Sequence, residues 1–149
     1  MNATVFLLCN LALAFYNVGT IWAMEVDIFR SWRYVGVREF HTVQAVHWRK
    51  LPYWIFLPIG VALVGSVALV FYHPASSPLW AIWGSLLCQL VSHILTAITC
   101  GPWQAKLSTD PQGPESIYLA RILRTHWLRT LLITAYGVIM LAWMITIVR

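Results

Sequence analysis

At 149 residues the chain is the size of one domain, yet 60% of it is apolar and only 10% charged, far outside the balance of a water-soluble globule. The formal net charge of +5 would suit a nucleic-acid partner. However, the basic residues flank apolar stretches and no nucleic-acid motif accompanies them, so membrane topology and anionic headgroups account for them instead. The three cysteines, Cys9, Cys88 and Cys100, show no Cys-x-x-Cys spacing; they support neither a disulfide framework nor a zinc ribbon and read as small packing residues.

In chain order, residues 4–24 lack any Asp, Glu, Lys or Arg over the roughly 20 residues needed to cross a hydrocarbon core. Nothing positive precedes this stretch and no small-residue cleavage site follows it, so it is expected to stay as a first span rather than to be removed as a signal peptide. Asn10 and Asn17, seven apart, share one of its faces, and Glu25 and Asp27 leave its end. Residues 37–50, which contain "REFHTVQAVHWRK", are predicted to form a short helix lying at or rising from the interface, broken or kinked at Pro52. On an ideal helix His41 and His47 lie about 120° apart. His41 shares a face with Gln44 and Trp48, while His47, nearer the second span, is the one expected to reach the bundle.

The second span covers residues 51–72, where Ala62 and Ser66 permit close approach of a neighbour. The short turn "HPASSP" follows, with His73 solvated. A third span, 79–99, carries a polar stripe of Ser85, Gln89, Ser92, His93, Thr96 and Cys100 at helical spacing. The turn-rich stretch "LSTDPQGPES", 107–116, stops the helix. Helical spacing then resumes, and the fourth span, about 127–148, opens at His126 with its own stripe of His126, Thr130, Thr134 and Gly137. The sequence therefore predicts an all-α integral membrane protein. It forms a single transmembrane domain over 1–149, a four-helix bundle with an interfacial helix between helices one and two, whose two polar stripes line an inward-facing seam.

Sidedness follows from the positive-inside rule. Nine of the ten Lys and Arg residues fall in or beside the first and third connections; the tenth is the terminal Arg149. Both long connections are thus expected in the cytoplasm and both termini on the non-cytoplasmic side of an inner membrane. Trp22, Trp32, Trp48, Trp54, Trp103 and Trp127 would mark the inner interface, and Trp80, Trp83 and Trp143 the outer one. All five acids and every histidine but His73 belong to the cytoplasmic half.

An ionisable side chain inside a span is costly unless it is paired or hydrated, so His93 stands out as a candidate. Glu25, His41, His47, His93 and His126 together supply the imidazoles and carboxylate that iron or copper sites use. Glu25, His47, His93 and His126 would be the metal ligands, and His41 and His47 cofactor-binding residues; a haem between His93 and a second histidine is the other option. The catalytic candidates are His93, His126 and Arg129: the histidines as metal ligands or as acid and base, with Glu25 assisting and Arg129 steadying negative charge.

The stretches "EFHTVQAVHW" (39–48) and "THWLRT" (125–130), with Asn17 in helix one, resemble the small four-helix bacterial membrane proteins related to the anthrone-oxygenase-like family. The likeness runs loosely over the whole length. Some members oxygenate aromatic polyketide anthrones without a dedicated cofactor, so the resemblance implies an oxygenase in which His126, Trp127 and Arg129 are pocket residues. It does not by itself favour a metal.

The favoured expectation is redox or oxygenation chemistry on a small lipophilic aromatic or quinone-like substrate, in a pocket facing the cytoplasmic leaflet. The rival is a non-catalytic subunit, as a homo-oligomer or within a larger membrane complex, whose polar seam only specifies helix packing. A transporter is weaker, because four helices without an inverted repeat leave little room for alternating access.

Overall fold

The computed structural model describes residues 2–149. Four long helices hold most of the chain: α1 (Ala3–Tyr34), α2 (Val37–Phe71), α3 (Leu79–Leu107) and α4 (Ile117–Val148). The shortest has 29 residues, and no strand occurs among the described residues. All four are long and apolar enough to cross a membrane, and the chain is an integral membrane protein of the four-helix-bundle type. Large apolar side chains such as Leu8, Val64, Leu87, Leu131 and Val138 point outward, where a soluble protein would place charge.

The helices close a ring: α1 packs on α2 and α4, and α3 packs on α2 and α4. Two apolar clusters fill the interior. One, at the end bearing the termini, is built from Leu7, Leu11, Leu69, Ile82, Tyr136, Met140 and Trp143. The other, at the basic end, contains Met24, Phe29, Trp32, Phe40, Leu51, Ile55, Leu107 and Ile122. Between them lies a layer of buried polar side chains that includes Asn17, Glu25, Gln89, Ser92, His126 and Thr130. At Gly65 of α2, a Cβ would collide with the Asn10 side chain of α1, so only glycine permits this approach.

Two expectations are revised. Pro52 does not break the second helix: Val37–Leu51 runs on into the span through a π-helical turn, Pro52–Phe56. The fourth helix starts at Ile117, where helical spacing resumes after the turn-rich stretch, and His126 lies nine residues along it. Trp143 is fully buried and donates from Nε1 to Ser77 Oγ at 3.0 Å, tying α4 to the turn between α2 and α3; Trp32 is likewise buried. These two indoles are packing residues rather than interfacial anchors.

The 108–116 loop is pinned over the basic end of the bundle. Ser116 caps α4 by accepting from the Tyr118 N–H at 3.1 Å and donates its hydroxyl to Asp110 Oδ2 at 2.5 Å. Asp110 Oδ1 accepts from the Gln112 N–H at 3.0 Å. Gly113 adopts a positive φ of 56° with Phe40 beneath it, a conformation that disfavours any side chain. The Ser116 hydroxyl, then the Gln112 amide, hold the Asp110 carboxyl below the usual aspartate range. A depressed folded pKa stabilises the loop above the unfolded value, and that stability is lost as pH falls through the folded one. The protection of the Gln112 and Tyr118 amides against hydrogen exchange, relative to the intrinsic rate at each pH, should therefore fall on acidification through this window, and Asp110→Asn should show the lower protection already at neutral pH.

Candidate functional site

Three of the four helices leave regular α geometry at the same end of the bundle. Met24–Ile28 in α1, Pro52–Phe56 in α2 and Thr96–Cys100 in α3 are π-helical turns. Such turns widen the backbone by one residue, are costly, and are frequent at functional sites. Proline contributes to two of them: Pro52 opens the second and Pro102 follows the third, each lacking the N–H that a regular helix would use. In α1 the π turn carries Glu25, which has no exposed surface, while Asp27, two residues on, points outward.

Glu25 is the centre of the site. Its Oε1 accepts from Arg30 Nη2 at 2.6 Å, and Arg30 Nε also bonds the Glu25 carbonyl at 3.1 Å. Its Oε2 lies 2.8 Å from His126 Nδ1, with both side chains almost wholly buried. A carboxylate only accepts, which assigns the Nδ1 proton to the imidazole and leaves Nε2 with the free lone pair. Thr130, one turn on in α4, brings its hydroxyl to 3.3 Å from both His126 Nδ1 and the His126 carbonyl. Phe29 packs edge-on against the His126 ring, with centroids 4.7 Å apart.

Beside this pair is a cavity of about 30 Å³, enough for one or two waters at roughly 10–15 Å³ each. Met24, Ile55, Phe56, Thr96 and Cys100, all from the π turns, line it with Trp48, Gln104, His126 and Arg129. Phe56 is exposed on the lipid-facing surface and forms the rim. Among the cavity-lining residues, Trp48 Nε1, Gln104 Nε2 and Arg129 Nε are buried without hydrogen-bond partners. Two larger hollows, about 250 and 350 Å³, lie on the lipid-facing side of α1 and α2 and are lined almost entirely by apolar residues; they suit acyl chains and offer no chemistry.

The sequence-predicted residues are distributed unevenly. His126 and Arg129 line the cavity, and Glu25 stands behind it, bonded to His126. His47 is buried, its ring edge-on to Trp32 at 4.9 Å and 6.3 Å from Phe29; Phe29 touches both His47 and His126. The buried face of the amphipathic segment Val37–Leu51 is Phe40, Gln44, His47 and Leu51, which leaves His41 outside with its Nδ1 3.1 Å from the Ser108 carbonyl. His93 lies half-buried on the flank of α3, its Nδ1 turned back on the Gln89 carbonyl at 2.8 Å. No hydrogen bond, ion pair or ring contact joins it to Glu25, His47 or His126 among the described residues.

The four-ligand set Glu25, His47, His93 and His126 is accordingly not assembled. Among the described residues no three His, Cys, Asp or Glu side chains are grouped to hold a metal ion. His126 is committed to Glu25, His47 is walled by aromatic rings, and His93 is bonded to its own helix, so these residues do not fit iron, copper or a bis-imidazole haem. Sequence reasoning missed Phe29 as a wall, and Trp48 and Gln104 as donors; the arginine that pairs with Glu25 is Arg30, of the first connection. The prolines beside the π turns were the available signal.

Comparison of the chain with protein-family models, curated proteins and solved structures gave no match.

The two histidines should separate in stability. His126→Leu removes a buried donor from Glu25 and should cost about 1–3 kcal/mol. His93→Leu loses only a local bond on the bundle flank and should cost less than about 1 kcal/mol. Thermal unfolding of each variant in detergent checks the order.

Proposed function

We propose that the protein carries out oxygenation or redox chemistry on a small lipophilic aromatic or quinone-like molecule whose polar end enters the cavity beside Glu25 and His126. The observation that carries this reading is the imidazole–carboxylate pair of His126 with Glu25, whose imidazole lines a cavity at the level where three helices take π turns. The short motifs that resemble the anthrone-oxygenase-like proteins point the same way. With only about 30 Å³ available, the cavity suits an oxygen-bearing ring edge, the remaining rings staying against the lipid-facing rim at Phe56.

In this reading Glu25 orients His126 and stabilises the imidazolium that forms, while Nε2 takes a proton from an acidic C–H or O–H of the substrate. Arg129, one turn along α4, faces the negative charge left on the substrate oxygen. For a ring methylene the balanced reaction is R₂CH₂ + O₂ → R₂C=O + H₂O: the carbon is oxidised, one oxygen atom becomes the carbonyl, and the other leaves as water with both hydrogens.

Oxygen uptake by proteoliposomes given a hydroxylated aryl methylene compound or a quinol tests the proposal. His126→Gln should lower kcat by about 10²–10⁴-fold, the range of a lost general base, with KM little changed. Absence of uptake by the unaltered protein with both substrates would overturn the catalytic reading in favour of a non-catalytic membrane subunit. The two donors already on Glu25 would fit that alternative.

We further propose that the basic end faces the cytoplasm of a bacterial inner membrane, because nine of the ten basic residues lie at that end of the sequence's spans. In a background without Cys9, Cys88 and Cys100, an impermeant thiol reagent added outside should label Ser76→Cys and spare Thr109→Cys. The reverse pattern would invert the topology.

A further inference from the structure

The ionic groups beside the cavity do not balance. Glu25 is matched by Arg30 at 2.6 Å. Arg129 is a second guanidinium, nine-tenths buried, and among the described residues no carboxylate pairs with it: the ion pairs are Glu25 with Arg30 and Glu25 with His126. A cation enclosed in a membrane bundle without a counter-charge is expensive and marks a place where charge is to be met.

The neighbouring polar atoms have the same character. Gln104, also more than nine-tenths buried, has no partner for Nε2, and the Trp48 indole N–H has none either. With Arg129 Nε, three residues from three helices bring three unused N–H donors to the lining of one cavity. Indole and guanidinium have no acceptor to offer, so this side of the cavity calls for an acceptor on the ligand. The local excess of one positive charge calls for a single negative one. The small volume admits an oxygen atom and little more, and the rim at Phe56 opens to lipid.

We infer that the cavity is a binding site for the anionic oxygen of a lipophilic monoanion, held by Arg129, Gln104 and Trp48. A ring phenolate or enolate and a fatty-acid carboxylate share this chemistry. The inference takes the location of the site from the proposed function and specifies the charge state in which the ligand is bound; it does not require turnover.

The test is calorimetric titration of the full-length protein in detergent with three probes. These are a 3-alkyl-2-hydroxy-1,4-naphthoquinone, which is ionised at neutral pH, its 2-methoxy ether, and dodecanoate. The hydroxyquinone should bind at least tenfold more tightly than its ether. Arg129→Met and Gln104→Leu should each weaken the anion tenfold or more and narrow the gap to the ether, while Arg129→Lys, which keeps the charge, should retain more affinity than Arg129→Met. Dodecanoate bound with the same donor dependence would support the site and assign it to a lipid carboxylate; dodecanoate not bound would support it and assign it to a ring anion.

Equal binding of hydroxyquinone and ether, no binding of either anion, or anion binding unchanged in folded Arg129→Met and Gln104→Leu would overturn it. The catalytic reading fails separately. Donor-dependent binding without oxygen uptake leaves this site standing as a receptor, whereas oxygen uptake indifferent to both substitutions removes this site and leaves catalysis.

Discussion

A carboxylate with no exposed surface, inside a bundle whose outer face is apolar, is tolerable only because each oxygen of Glu25 has a donor: Arg30 on one and His126 on the other. The second of these joins residues 101 positions apart and fixes α1 against α4 in both depth and rotation. Removing either partner would leave a buried charge uncompensated, so the pairing selects one register for the two helices. Non-directional packing between apolar faces cannot do this in lipid, where helix contacts and lipid contacts are chemically alike. Everything else at the basic end is arranged around that tie.

The π turns are the backbone's answer to it. Each adds a residue to one helical turn, which opens the backbone locally and rotates the next stretch of helix about its axis. The turn at Met24–Ile28 carries Glu25 inward. The turns at Pro52–Phe56 and Thr96–Cys100 supply cavity-lining residues, Ile55 and Phe56 from α2 and Thr96 and Cys100 from α3. α4, which carries His126 and Arg129, stays regular over its whole length. One straight helix thus presents the ionisable groups, and three locally widened helices leave space in front of them.

Hydropathy made the four spans legible, because a run of uncharged residues long enough to cross lipid seldom occurs in a chain folded in water. Glu25, His126 and Arg129 could also be singled out from the rarity of such side chains beside a span, but the burial of the carboxylate could not. What periodicity could not provide was pairing. His93 shares a helical face with Gln89, so it read as part of an inward stripe, yet its ring satisfies itself on the Gln89 carbonyl and stays on the flank. The polar stripe of α3 was extended through Thr96–Cys100 at regular spacing, where the π turn changes the spacing; Gln104, beyond that turn, reaches the cavity unannounced. In 37–50 His47, expected to turn towards the bundle from its place nearer the second span, is buried, and what the sequence did not name is the tertiary packing that receives its ring, Trp32 and Phe29.

The polar side chains of this bundle fall into two kinds, and the difference decides what each can do. Ser66, Ser85, Thr96, Thr99, Thr134 and His93 hydrogen-bond a carbonyl three or four residues back on their own helix. That habit lets a polar residue live in lipid at little cost and commits its donor locally, although Thr134 also accepts from the Trp22 indole and Ser66 also meets the Tyr136 hydroxyl across helices. Gln44, His47, Trp48, Trp54, Gln104 and Arg129 at the basic end, and Asn17, Gln89 and Ser92 in the polar layer, have buried atoms that no neighbour satisfies. An unsatisfied buried donor costs more than a satisfied one contributes, so a cluster of them beside an ion pair works against stability. The same enclosed, low-dielectric setting that makes them costly would strengthen their hold on an acceptor oxygen. The polarity of α3 is therefore mixed: Ser85, His93, Thr96 and Thr99 bond back onto their own helix, whereas Gln89, Ser92 and Gln104 keep buried atoms without a partner, and of these only the Gln104 donor lines a cavity with Arg129 and Trp48 beside the Glu25–His126 pair.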